Sequence, residues 1–183
     1  MLPDREALLH TAAAHLGRHP TASMDDIARA AGISRATLHR WFAGRGALVR
    51  GLEQLGISRV RAAVDAARLE EGDPGDALRR LIAEAESFAG FLGFLMSESQ
   101  LFEPGAVEPG WTEADERIAA LFRRGQETGV FRVDLTAAFL TEALYALVTA
   151  SAWAVQEGRV AERDAGPMTA ELLLGGLLRR EPR

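Results

Sequence analysis

Apolar residues recur along this chain at three- and four-residue intervals, and no run alternates apolar with polar, so the pattern predicts an all-α fold. The first periodic stretch covers about 4–18, with Leu8, Leu9, Ala12, Ala13 and Leu16 inward, and stops near His19-Pro20. Two short helices are expected over 25–31 and 35–41. A longer one follows over 46–69, with Leu48, Leu52, Leu55 and Val60 on its inner face. The stretch 70–75 (EEGDPG) is rich in helix-stopping residues and breaks the pattern. Beyond it the spacing predicts helices near 75–96, 113–127, 135–157 and 163–179, punctuated by Pro104-Gly105, Pro109-Gly110, a turn between Gly125 and Asp134, and Gly158. No internal repeat or low-complexity segment stands out.

Residues 23–48 (SMDDIARAAGISRATLHRWFAGRGAL) have the organisation of two helices joined by a tight turn. Ser23 with Asp26 three residues on is a helix-start signature, a side-chain oxygen serving free backbone N–H groups. Ile27, Ala28 and Ala31 make one apolar face, and small Ala28 lets a second helix cross closely. Gly32 sits where the chain must turn through positive φ. Ser34 caps the next helix, and Leu38, Trp41 and Phe42 are expected to point inward at helical spacing. Arg35, Thr37, His39 and Arg40 are then left facing outward. Such a cluster of donors on the second helix suits a helix laid in the major groove, with groups at its N-terminus reaching base edges and flanking groups holding phosphates.

This segment, placed about twenty residues from the start, resembles the helix-turn-helix of the tetracycline-repressor (TetR) family of bacterial transcription regulators. The likeness is carried by residues 24–48 and covers the first fifty residues well; the GQETGVFRVDL stretch and the long apolar helix after it are a looser match. The chain departs from the family pattern at His39 for Tyr, Arg45 for Lys and Gly46 for an acidic residue. The resemblance implies that Arg35, Ala36 and Thr37 contact bases. Arg35 is suited to guanine, and the methyls of Ala36 and Thr37 to thymine. His39, Arg40 and Arg45, with the hydroxyls of Ser23 and Thr37, are expected on phosphates, aided by the positive end of the helix beginning near Arg45. The expected organisation is an N-terminal three-helix DNA-binding domain over 1–46 and a C-terminal helical bundle over 47–183 for ligand binding and dimerisation.

Charge refines this picture. The chain of 183 residues carries a net charge of −5, but residues 1–50 hold seven Arg against four acids, leaving +3 there and −8 on the remainder. A basic end on an acidic body suits a protein that meets phosphates at one end. There is no Cys, hence no disulfide and no thiolate metal site, which fits a cytoplasmic setting. The opening residues, Met1 to Glu6, are too charged for a secretory signal.

A reader of one short motif gains tight binding by pairing on a palindromic site, so a dimer interface is expected in the remainder. Residues 135–156 hold one charge, Glu142, in 22 positions and read as a helix buried on two sides. Its length fits a bilayer, but Glu142, three Thr, Ser151 and the lack of basic flanks argue for a protein partner over a membrane. Phe139, Leu140, Leu144 and Leu147 are the expected interface residues there. Leu173, Leu174, Gly175 and Leu177, within the stripe Leu172 to Leu178, are expected to complete a four-helix contact between two copies. Among the aromatic residues, Phe88, Phe91, Phe122, Tyr145 and Trp153, with Met96, are candidate linings of an effector cavity. Glu84, Glu98, Gln100 and Glu142 are candidates for polar specificity; the expected effector is a small apolar or cationic molecule, an acidic lining favouring a cation.

No cofactor and no catalytic constellation are expected. His15 and His19 stand four residues apart, a metal-capable spacing, but without Cys or an HExxH frame they read as surface histidines. The reading is a homodimeric repressor released from its operator by a small molecule. The alternatives are a DNA-binding dimer whose C-terminal half only dimerises or binds a protein, and a helical metal-dependent enzyme.

Overall fold

The computed structural model describes residues 4–98 and 108–178. Gln100, the aromatic Phe102 and Pro104-Gly105 lie outside the described residues. Within them the chain forms nine helices: α1 (Arg5–Leu16), α2 (Met24–Ala30), α3 (Arg35–Trp41), α4 (Arg45–Ala67), α5 (Pro74–Glu86), α6 (Ala89–Ser97), α7 (Pro109–Glu127), α8 (Ala137–Gln156) and α9 (Glu162–Leu177). The β-type pairing among the described residues is one isolated antiparallel bridge between Phe131 and Leu178.

Local chemistry explains the boundaries. Asp4, Ser23, Ser34, Asp73 and Thr136 each accept a hydrogen bond from the first turn of the helix they precede. Pro74 opens α5, where its missing N–H costs nothing. The far end of α4 is held by two arginines from neighbouring helices. Arg80 donates to the carbonyls of Ala67, Arg68 and Glu71, and Arg124 to those of Leu69 and Gly72.

The side chains divide between two cores. Leu8 and Leu16 of α1, Ile27 of α2, Leu38, Phe42 and the start of α4 (Leu48, Val49, Leu52) form the first. The second is built from the rest of α4 (Val60, Val64) with α5, α7, α8 and α9. Helix α6 belongs to both: Phe88 and Leu92 enter the second core, Phe91, Phe94 and Leu95 the first.

That double membership corrects the expected single helix over 75–96. The chain breaks at Ser87 and Phe88, where Phe88 has φ −133° and ψ 12°. The break redirects the apolar run, so that Phe91 and Phe94 reach the first core instead of continuing along the second. Helix α7 also starts at Pro109, four residues before its expected start near 113. Trp41, expected inward, is 46% exposed, because the helix ends there and the chain turns at Phe42, whose ring takes the buried place.

Candidate functional site

The α2–α3 pair presents one outward face. Asp26 and Ser23 form a reciprocal capping box, Asp26 N–H donating to Ser23 Oγ at 3.2 Å and Ser23 N–H to Asp26 Oδ2 at 3.0 Å. The Ser23 hydroxyl donates to the same carboxylate at 2.7 Å, and these bonds, with Arg29, hold the Asp26 carboxyl below its usual range. Gly32 turns the chain at φ +65°, and Ile33 N–H closes the end of α2 on Ala28 O at 3.0 Å. On α3, Leu38 is fully buried, while Arg35, Ala36, His39 and Arg40 lie on the exposed side. The spacing i, i+1, i+4, i+5 places these four on a single face.

The other residues expected on DNA are positioned differently. Thr37 is buried; its hydroxyl lies 2.9 Å from Ser34 Oγ and accepts from Arg40 Nη2 at 3.3 Å. Arg35 pairs with Asp25 of α2 at 3.1 Å, both side chains being half-exposed. Arg45 is turned inward, donating to Ala22 O at 2.9 Å and to Glu98 Oε1 at 2.6 Å.

A second feature lies between α4, α5, α6, α7 and α8. Val60, Leu81, Phe88, Leu92, Ile118, Leu144, Tyr145 and Val148 line an apolar space of about 20 Å³, room for one water. Of the residues expected to line a cavity, Phe88 and Tyr145 do so. Phe122 is fully buried against Phe131, with ring centroids 6.1 Å apart, and Phe91 stacks on Phe94 in the first core. Met96 and Trp153 are exposed. Glu84 and Glu142 are exposed, and Glu98 is paired with Arg45.

Two carboxylates that sequence reasoning missed are held by aromatic donors, one of them Tyr145 of this space. Tyr145 Oη donates to Asp115 Oδ1 at 2.9 Å, and Trp111 Nε1 donates to Glu53 Oε1 at 3.2 Å. Burial raises both carboxyls above their usual range, against the lowering effect of each donor; nearby Glu142 adds to the rise at Asp115 and Glu108 to that at Glu53. Burial, with Asp115 beside it, raises the Tyr145 phenol too. Trp111 and Asp115 are one turn apart on α7, so the two acid–aromatic pairs are neighbours. The signal was present: Asp115 interrupts the apolar stripe Trp111, Ala114, Ile118, Phe122, and Glu53 interrupts that of α4.

The outer faces of α8 and α9 carry the third feature. Of the residues expected at an interface, Leu140, Leu144, Leu173, Leu174 and Leu177 are buried within this chain's own core. Phe139 and Gly175 face outward, and Leu147 is partly buried. Exposed beside them are Trp153, Met168 and Leu172, at 55%, 58% and 65%. Helix α8 has the length and mean hydropathy (1.4) of a membrane span, with 28% of it buried inside the chain. His15 and His19 have ring centroids 4.9 Å apart, and among the described residues no three His, Asp or Glu side chains group to hold a metal ion.

Comparison with known proteins agrees with this architecture. Residues 8–52 match the family described as bacterial regulatory proteins, tetR family. The chain is 35% identical over 178 residues to the HTH-type transcriptional regulator NfxB of Pseudomonas aeruginosa, covering 96% of this chain and 95% of that one. It is 33% identical over 123 residues to the HTH-type transcriptional repressor LfrR of Mycolicibacterium smegmatis, covering 67% of this chain and 59% of the relative. The crystal structure of LfrR in complex with proflavine superposes with a TM-score of 0.79 at 26% identity, over 96% of this chain and 97% of that one. The chain therefore belongs to the TetR family of bacterial regulatory proteins and is a DNA-binding transcriptional regulator.

Proposed function

We propose that this regulator is a cytoplasmic homodimeric repressor that leaves a palindromic operator when a small planar cation binds between α4, α6, α7 and α8. The observation that carries this reading is the double membership of α6 in the two cores. A ligand of several aromatic rings needs roughly 300 Å³ or more, against about 20 Å³ between the lining side chains. Binding must therefore part the walls, and one wall is the Phe88–Leu92 face of α6. The opposite face of the same helix is packed into the DNA-binding core through Phe91 and Phe94, so opening the cavity displaces that core. Arg80 and Arg124 hold the far end of α4, and its near end packs in the same core as Phe91 and Phe94, so a displacement of α6 is passed to the end beside α3. A ligand preference of about 1–3 kcal/mol for the opened state makes a useful switch.

Asp115 and Glu53 supply the preference for a cation, and the proflavine complex of LfrR supports that class. Arg35, Ala36, His39 and Arg40 form the base- and phosphate-reading face. Two such faces would stand about 34–36 Å apart across the operator, with α8 and α9 of two chains in contact.

The test is a fluorescence titration of proflavine with parallel binding to a promoter fragment from the protein's own locus. Saturable binding that releases the fragment supports the reading. The closed cavity also favours a second one, in which the C-terminal half only dimerises or binds a protein; failure of proflavine and of a panel of apolar compounds to raise the melting temperature or release DNA would favour it.

A further inference from the structure

Arg45 is the first residue of α4 and follows the reading helix by a three-residue link. Its guanidinium is committed to the interior of the head. Nη1 donates to Ala22 O at 2.9 Å and Nη2 to Glu98 Oε1 at 2.6 Å, with Pro20 O at 3.4 Å, and the group lies over the Phe94 ring at 5.8 Å. Ala22 and Pro20 belong to the turn between α1 and α2, while Phe94 lies on α6 and Glu98 at its end. The Glu98 side chain is 17% exposed and that of Arg45 37%, so the carboxylate is the more sheltered partner, with the guanidinium at the rim. Arg40 and Trp41, the last two residues of the preceding helix, are exposed. A guanidinium in that position serves either of two anions, a backbone phosphate outside or the carboxylate inside.

We infer that Glu98 is an internal competitor of operator DNA for Arg45. With α6 in the position seen here, its carboxylate withholds one phosphate-binding cation from each reading head. On operator DNA the pair is broken and Arg45 turns outward onto the backbone, so a movement of α6 that keeps Glu98 on Arg45 favours release. Glu98 is thus a positioning residue that acts on DNA through Arg45, and it gives α6 an electrostatic route to the DNA surface beside the packing of Phe91 and Phe94. This inference rests on the α2–α3 face being the DNA surface.

The experiment is a double-mutant cycle on the full-length protein, using a duplex selected by the wild-type protein from random sequence and measured over a range of salt. Glu98→Gln removes the charge at nearly constant shape. It is expected to tighten binding by about threefold per reading head, the order of a half-buried ion pair. Arg45→Gln, which keeps a donor for Ala22, is expected to weaken binding and flatten the salt slope by about one per reading head. In the Arg45→Gln background Glu98→Gln should change nothing. Equal tightening by Glu98→Gln in both backgrounds would mean a general loss of negative charge, overturning the competitor while leaving the DNA surface intact. An unchanged affinity in Glu98→Gln alone overturns it as well. An unchanged slope in Arg45→Gln removes Arg45 from the phosphate contacts and overturns it from the other side. Loss of binding by Arg40→Ala, measured alongside, separates those failures from failure of the α2–α3 face itself.

Discussion

Arg40 shows how one side chain is positioned by the helix that carries it. Leu38 and Phe42 bury the inner face of α3, leaving Arg40 outside with one link to Thr37. Arg40→Ala is therefore expected to spare the fold and weaken DNA binding across sequences, with a salt slope shallower by about one per reading head; a salt titration on specific and random duplexes checks it. Asp115 makes the opposite kind of prediction. Burial raises its carboxyl above the unfolded value, so the fold favours the protonated form. That contribution is complete at low pH and lost as pH rises through the raised value. Asp115→Asn, neutral at every pH and still able to accept from Tyr145, should raise the melting temperature at neutral pH. The gain should shrink as pH falls to about 4, the ordinary carboxylate range. The same change should weaken proflavine binding, which in the unaltered protein should tighten with rising pH as Asp115 ionises.

At the scale of elements, α6 is the piece on which both cores depend. Its nine residues, AGFLGFLMS, are apolar on nearly every side, and they bury toward two neighbours because the break at Phe88 turns the helix between them. Its entry is tight. A Cβ on Gly90 would stand 2.8 Å from Gly17 O and 3.0 Å from the Gln156 side-chain amide, and one on Gly17 would stand 2.9 Å from Phe91 N. Gln156 of α8 donates to the same Gly17 carbonyl, so α1, α6 and α8 meet at this point. Gly90→Ala is expected to force α6 away from α1 and cost about 1–3 kcal/mol, read by denaturant unfolding. Since α6 links cavity and head, DNA affinity should change in the same variant; a stability loss with unaltered DNA affinity would place the coupling elsewhere.

For the whole molecule, the exposed apolar stripe of α8 and α9 is the decisive surface. Phe139, Trp153, Met168 and Leu172 are all more than half exposed in a single chain, an arrangement typical of an interaction face. Trp153→Glu combined with Leu172→Glu should yield a monomer by sedimentation with unchanged helix content, because neither side chain supports the chain's own core. The monomer should lose tight binding to a two-half-site operator and keep weak, salt-sensitive binding to any duplex. A dimer that survives both substitutions would move the interface off these helices.

The helix-turn-helix was legible in outline because its determinants are local: a capping box at Ser23, a positive-φ glycine at position 32, a cap at Ser34 and apolar residues at helical spacing between them; Trp41, exposed, and Thr37, buried, are the side chains it misplaced. The all-α class and the basic N-terminal end against an acidic body were legible for the same reason, since periodicity and charge are properties of the chain itself. What tertiary structure alone decided is how one apolar residue differs from another. Leu173 and Leu172 are adjacent and chemically identical, yet one is core and the other exposed surface. Phe88 and Phe91, three residues apart, belong to different cores, and Arg45, legible as a cation near DNA, turns inward to a carboxylate 53 residues away. Hydrophobicity is non-directional, so it states that a side chain will be buried and leaves the choice of partner to the packing of helices distant in the chain.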